Sequence, residues 1–134
     1  MSAKDIFLKA VNTKLERVIN TFSDALVTDE EHPLITGITS GNWQPSVGHP
    51  VLREDWYGFS KDDVLDAMSS NTRLIDLSTA KYTARNNDWK LGDELFWTNS
   101  LEHIGELETR RKFFDQIVAN ATIEAQRAAK GGIR

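Results

Sequence analysis

Three groups of residues have the types and spacing that chemistry requires. The first is "LEHIGE", with His103 between Glu102 and Glu106. A histidine and a carboxylate about one helical turn apart can share a metal, but zinc takes three or four ligands. His32 and His49 lie far off in stretches that read as loops. A histidine in a polar turn is the better reading, and a small hydrolase built on His103 is the least supported one. The second group is Asp62, Asp63 and Asp66 in "SKDDVLDAM". It has the acidity of a calcium loop without that loop's glycine and terminal glutamate. Acids at a helix N-terminus, favoured by the helix dipole, account for it better. The third is "PLITGITSGNW", residues 33–43, rich in glycine and hydroxyls. A phosphate-cradling loop ends in Gly-Lys-Ser/Thr, whereas Gly41 is followed here by Asn42 and Trp43. No serine sits in G-x-S-x-G. The expectation is a chain that is not an enzyme, with no catalytic residue, cofactor or metal. Trp43, Trp56, Trp89 and Trp97 then read as core or interface anchors.

Composition narrows the class. The 134 residues suffice for one domain with one core. With 40% apolar and 27% charged residues, the chain resembles soluble globular proteins. The net charge of −4 argues against a protein that grips nucleic acid through a basic face. There is no cysteine, so disulfides, thiolate metal sites and cysteine nucleophiles are excluded. No apolar run approaches the roughly 20 residues that span a bilayer, and "MSAKDIFLKAV" does not look like a signal peptide. A single domain over 1–134 is expected, with a flexible tail from about residue 130.

The elements that must position these residues follow from periodicity. Phe7, Val11, Leu15, Val18, Phe22 and Leu26 recur every three or four residues, which predicts a long amphipathic helix. Ser2 and Asp5 supply a capping-box-like start. Lys9, Lys14, Glu16 and Asn20 fall on the opposite face. The helix must stop by His32, because Pro33 disfavours the α region before it. Residues 33–59 are punctuated by glycine and proline, which predicts irregular chain with one or two short strands. "NWQPSV" is one candidate, an edge or bulged strand because of Pro45. Ser60 and Asp63 cap a short helix with Val64, Leu65 and Met68 on its apolar face. Over 72–92 a short helix and irregular chain remain open, with Leu74, Leu77 and Tyr82 as candidate core residues. "ELFWTN" predicts a strand. From Thr109 a C-terminal helix is expected, with Phe113, Ile117 and Ala121 on one face and Phe114, Val118 and Ala125 beside it. Gly131 and Gly132 would end it.

Two stretches taken together resemble a known family. One is P-x-x-T-G-x5-W: Pro33, Thr36, Gly37 and Trp43. The other is a strand ending in T-N and followed by L-E, with Thr98, Asn99, Leu107 and Glu108. Their order after a long amphipathic helix resembles the tail-completion, or neck, proteins of tailed bacteriophages, the head–tail joining and minor tail proteins. The chain departs from the family's usual pattern at Ile38, Thr39, His103, Ile104 and Thr109.

The resemblance implies an α+β fold. A long N-terminal helix packs on a small, mainly antiparallel sheet, with additional short helices and a C-terminal helix. It implies a non-enzymatic virion structural protein at the head–tail junction, assembled in the host cytoplasm. The chain would form a ring with itself, usually of six copies. Its neighbours would be the head connector or adaptor and the tail terminator or tail-tube protein. DNA would pass through the lumen without specific binding, and no membrane is involved. Ring subunits meet head-to-tail, and Phe96, Trp97, Leu101, Glu102 and His103 are the candidates for part of that contact. The alternative, from another class, is a small acidic phage-encoded regulatory or inhibitory protein that binds a host factor.

Overall fold

A computed structural model describes residues 2–29, 37–38, 40–99 and 113–131. The chain folds as α+β. The long helix α1 spans Ala3–Thr28. A single 3₁₀ turn, Ser40–Asn42, leads into strand β1, Gln44–Val47. Helices α2 (Lys61–Ser69) and α3 (Leu77–Ala84) follow, then strand β2 (Leu95–Thr98) and helix α4 (Phe113–Ala129). The two strands form an antiparallel pair. Gln44 lies opposite Thr98, Pro45 opposite Trp97, Ser46 opposite Phe96 and Val47 opposite Leu95. Pro45 is tolerated because, among the described residues, each strand of the pair is an edge.

Each helix starts where a local signal places it. Ser2 and Asp5 form a reciprocal capping box, and so do Ser60 and Asp63. Asp76 caps α3, its carboxylate accepting the Thr79 N–H at 2.8 Å. The open alternative over 72–92 resolves into both forms: an eight-residue helix between irregular flanks. α1 ends at Thr28, with Asp29 already extended.

These caps carry a pH prediction. The Ser60 backbone N–H bonded to Asp63 holds that carboxyl below its ordinary range, with the Ser60 side chain helping. The Thr79 backbone N–H does the same for Asp76, assisted by the Thr79 and Ser78 side chains. A depressed folded-state pKa stabilises the fold above the unfolded value, near 3.9, and that stability is lost as pH falls through the folded value. The thermal midpoint should therefore drop as pH is lowered from about 5 to about 2. Asp76→Asn keeps a capping side chain and removes the titration, so its midpoint should depend less steeply on pH. An unchanged slope in that variant would rule out this source of acid sensitivity at Asp76.

α1 packs most extensively on α4, and the two run antiparallel. Near one end, the Lys14 ammonium donates to the Ala128 carbonyl; toward the other, Asn120 Nδ2 donates to Asp29 Oδ2 at 2.9 Å. This corrects the placement of Lys14 on a solvent face. Its side chain is buried and its charge meets the carbonyl end of α4, where backbone acceptors lack helical partners and a cation is favoured. The apolar stripe is corrected at its start as well. Phe7 is 62% exposed, because α4 ends beside Lys14 and the first turns of α1 run past it.

The core gathers Leu26 and Val27 from α1, Ile38 and Trp43 from the segment before β1, and Val64 of α2. Ile75, Ala80 and Ala84 from α3 and its approach, and Ile117 and Ala121 of α4, complete it. The stripe's Phe22 reaches the sheet, its ring meeting Trp97 edge-on at 4.9 Å. Trp97 also donates its indole N–H to the Ala84 carbonyl at 2.8 Å, which satisfies an acceptor at the end of α3. Arg85, just beyond α3, pairs with Asp24 of α1 at 2.9 Å. Asn20 Oδ1 and Ser23 Oγ on α1 are buried and have no hydrogen-bond partner among the described residues.

Four expected core positions in the later helices turn outward. Leu65 and Met68 are 50% and 48% exposed, while Val64 and Ala67 form the buried face of α2. Tyr82 is 80% exposed. Alanines 80 and 84, four apart on one face, take the inner side of α3 because their small side chains allow close approach to α1. Val118 is likewise outside, with Ile117 and Ala121 fully buried. The side chains of Phe113 and Phe114 lie outside the described residues.

Candidate functional site

The stretch 37–44 is where sequence motif and structure coincide. Gly37 has φ +83°, a conformation glycine adopts without the steric penalty of a Cβ. Its own carbonyl accepts the Gly41 N–H at 2.9 Å and the Ser40 hydroxyl at 3.2 Å, closing a tight turn. A Cβ added to Gly37 would run into the Ile75 carbonyl. Glycine is therefore required here twice, for its backbone angle and for the close approach of the segment leading into α3.

Asn42 organises the next layer. It is fully buried. Its amide donates to the Ile38 carbonyl at 2.7 Å and to the Asp55 carbonyl at 2.9 Å, and its oxygen accepts the Asp55 N–H at 2.7 Å. One side chain thus joins the turn to the loop after β1. That loop is anchored again by Tyr57, whose hydroxyl donates to the Gly41 carbonyl and lies 3.2 Å from Thr83 Oγ1. Burial pushes the Tyr57 phenol above its ordinary pKa, with the Thr83 contact opposing. Tyr57 has φ +54°, which is strained for a bulky residue. Its N–H bond to Asp55 Oδ1 at 2.8 Å and its anchored hydroxyl hold it there.

The ladder then continues from the turn. Trp43 is buried directly before β1, in the same cluster as Leu26 and Val27 of α1. Gln44, also buried, accepts from Arg53 at 2.8 Å. The pairing begins with Gln44 opposite Thr98, directly after Trp43 and directly before Asn99. Asn86 braces the other end of β1, donating to the Ser46 carbonyl at 2.9 Å. Of the motif residues, Trp43 and Thr98 are thereby brought to one end of the sheet, while Gly37 sits against Ile75 at the approach to α3.

Of the candidate contact residues, Trp97 and Phe96 are both half-buried. They occupy opposite faces of β2 by strand alternation. Trp97 is engaged within its own chain by Phe22 and Ala84. Pro33, Thr36, Leu101, Glu102, His103, Leu107 and Glu108 lie outside the described residues. Asn42, Asp55, Tyr57 and Lys14 were missed in the sequence. Only Asn42 left a local trace, lying between Gly41 and Trp43 in the stretch that was tested as a phosphate loop.

Chemically, the arrangement is a hydrogen-bonded tie between the turn and the loop after β1. Its polar groups bond one another and backbone, and no three metal-ligating side chains converge among the described residues. A cleft of about 390 Å³ between α1 and α4 is edged by Asp29, Asn120 and Arg127. Its polar groups are engaged in part by the Asp29–Asn120 bond and by an Arg127–Glu124 pair at 2.7 Å. No described helix is long and apolar enough to cross a membrane. Comparison with protein-family models, with curated proteins and with solved structures found no match.

Proposed function

We propose that this chain is a virion structural protein of the tailed-phage neck. It completes the tail and joins it to the head connector as a ring around the path of the DNA. The observation that carries the reading is that the two motif halves adjoin through the sheet: Trp43 of one directly precedes β1, whose first residue, Gln44, pairs with Thr98 of the other. Here Gly37 is sterically required and Trp43 is buried. The long N-terminal helix and small antiparallel sheet also fit the architecture that the resemblance implies.

On this reading the protein catalyses nothing and binds no cofactor. Its partners are other copies of itself in a ring of about six, the connector or adaptor above, and the tail terminator or tube below. Its net charge of −4 suits a lumen past which DNA slides, since phosphate contacts would retard passage. It acts in the virion after assembly in the host cytoplasm.

Deleting the gene from its phage tests this. The expected result is an accumulation of DNA-filled heads and separate tails, with loss of a ring at the neck in electron micrographs. Normal infectious particles would refute the reading. A protein absent from virions and held in a stoichiometric complex with a host factor would establish the regulatory alternative instead.

A further inference from the structure

The first turns of α1 and the outer face of α2 are complementary surfaces at a distance from each other. Ile6 and Phe7 are 58% and 62% exposed on the part of α1 that projects beyond α4. Lys4 and Lys9, both exposed, stand three residues from Phe7 and Ile6 respectively, one helical turn away on either side. The remaining charge before Lys14 is Asp5, which is held in the capping box with Ser2. On α2, Leu65 and Met68 form an exposed apolar strip, with Asp62 one turn before Leu65 and Asp66 next to it; the exposed Lys61, also one turn before Leu65, is outnumbered by these acids. Asp63 is held in its own capping box. One surface is thus apolar with an excess of lysine beside it, and the other is apolar with an excess of aspartate over its single lysine.

The two cannot meet within one chain. Phe7 lies about 28 Å along the helix from Leu26, and Leu26 is in the core cluster that includes Val64 of α2. A rigid α1 holds the surfaces at opposite ends of the molecule. Complementary patches placed in this way favour contact between copies, head-to-tail, with one patch from each. We propose that the projecting N-terminal turns of α1 dock on the Leu65–Met68 face of α2 in a neighbouring copy of this chain. The apolar side chains supply the burial, and the Lys–Asp pairs set orientation and exclude the like-with-like pairing of two arms. The contact goes beyond the neck reading and does not depend on it, being a property of the chain in solution.

The absence of native cysteine makes the test clean. A Phe7→Cys chain and a Leu65→Cys chain are mixed at high concentration under mild oxidation. The mixed disulfide is expected to exceed either homodimer several-fold. Asp62→Lys with Asp66→Lys in the Leu65→Cys chain should cut its yield about tenfold, an effect that weakens in high salt. Lys4→Glu with Lys9→Glu in the other chain should then restore it. Ile6→Cys with Met68→Cys repeats the measurement at neighbouring positions, and circular dichroism checks that every variant is folded. A Phe7–Phe7 homodimer as abundant as the mixed product, a yield indifferent to charge, or no cross-link with either pair overturns the proposal. Intact necks without the cross-link would remove only this contact. The cross-link together with infectious deletion particles would remove only the neck reading.

Discussion

Gly37→Ala is expected to destabilise the fold by about 3 kcal/mol or more, lowering the thermal midpoint by roughly 10 °C. Two effects add. The φ of +83° carries a penalty of about 1–2 kcal/mol once a Cβ is present. The new methyl would also collide with the Ile75 carbonyl, which is backbone and cannot swing aside like a side chain. Relief would require the segment entering α3 to move, and Ile75 itself is in the core. Gly48→Ala separates the two effects. Gly48 has a similar φ of +86° but nothing within 4 Å of an added Cβ. It should lose only the conformational part, about 1 kcal/mol. Equal losses in the two variants by urea unfolding would show that the close approach at Gly37 is unimportant.

The second large effect is at Asn42. Asn42→Ala removes three hydrogen bonds from a site with no access to water. The Asp55 N–H and two carbonyls lose a partner, at about 1–3 kcal/mol for each group left unsatisfied. The expected total is about 3 kcal/mol, because some groups can relax toward water once the loop loosens. Tyr57→Phe removes only the hydroxyl that reaches Gly41 and should cost about 1 kcal/mol. Hydrogen exchange at the Asp55 amide gives a local reading, and it should speed up sharply in Asn42→Ala and little in Tyr57→Phe. If both variants lose the same stability and protection, the turn is not held principally through Asn42.

These two residues also change what the glycine-rich stretch means. As a sequence it invites a test for phosphate, which the missing lysine answers. In the fold it is a turn whose glycine admits a neighbouring backbone and whose asparagine ties down a loop. Its tryptophan fills the core directly before the strand that pairs with residues 95–98. The close approach at Gly37 and the pairing that follows Trp43 both depend on segments far along the chain.

The amino-acid sequence by itself determined what depends on interactions over three or four residues. The capping boxes at Ser2 and Ser60 and the strand at 95–98 were legible, because caps and strand preferences act over a few residues. The period of α1 was legible too, since a stripe of spaced apolar residues needs no partner to be seen. Tertiary structure alone decided how each surface was used. Lys14 reads as polar and solvent-facing until α4 arrives from 114 residues away with an acceptor at its end. Phe7 reads as core until α4 proves too short to cover it. Val64 and Ala67, rather than Leu65 and Met68, face inward on α2, because burial follows where neighbouring elements lie and hydrophobicity alone does not aim a helix. Asn42 became the tie between turn and loop only when the chain brought Asp55 within hydrogen-bonding distance of its side chain, and a short-range directional bond of that kind leaves no periodic trace in the sequence.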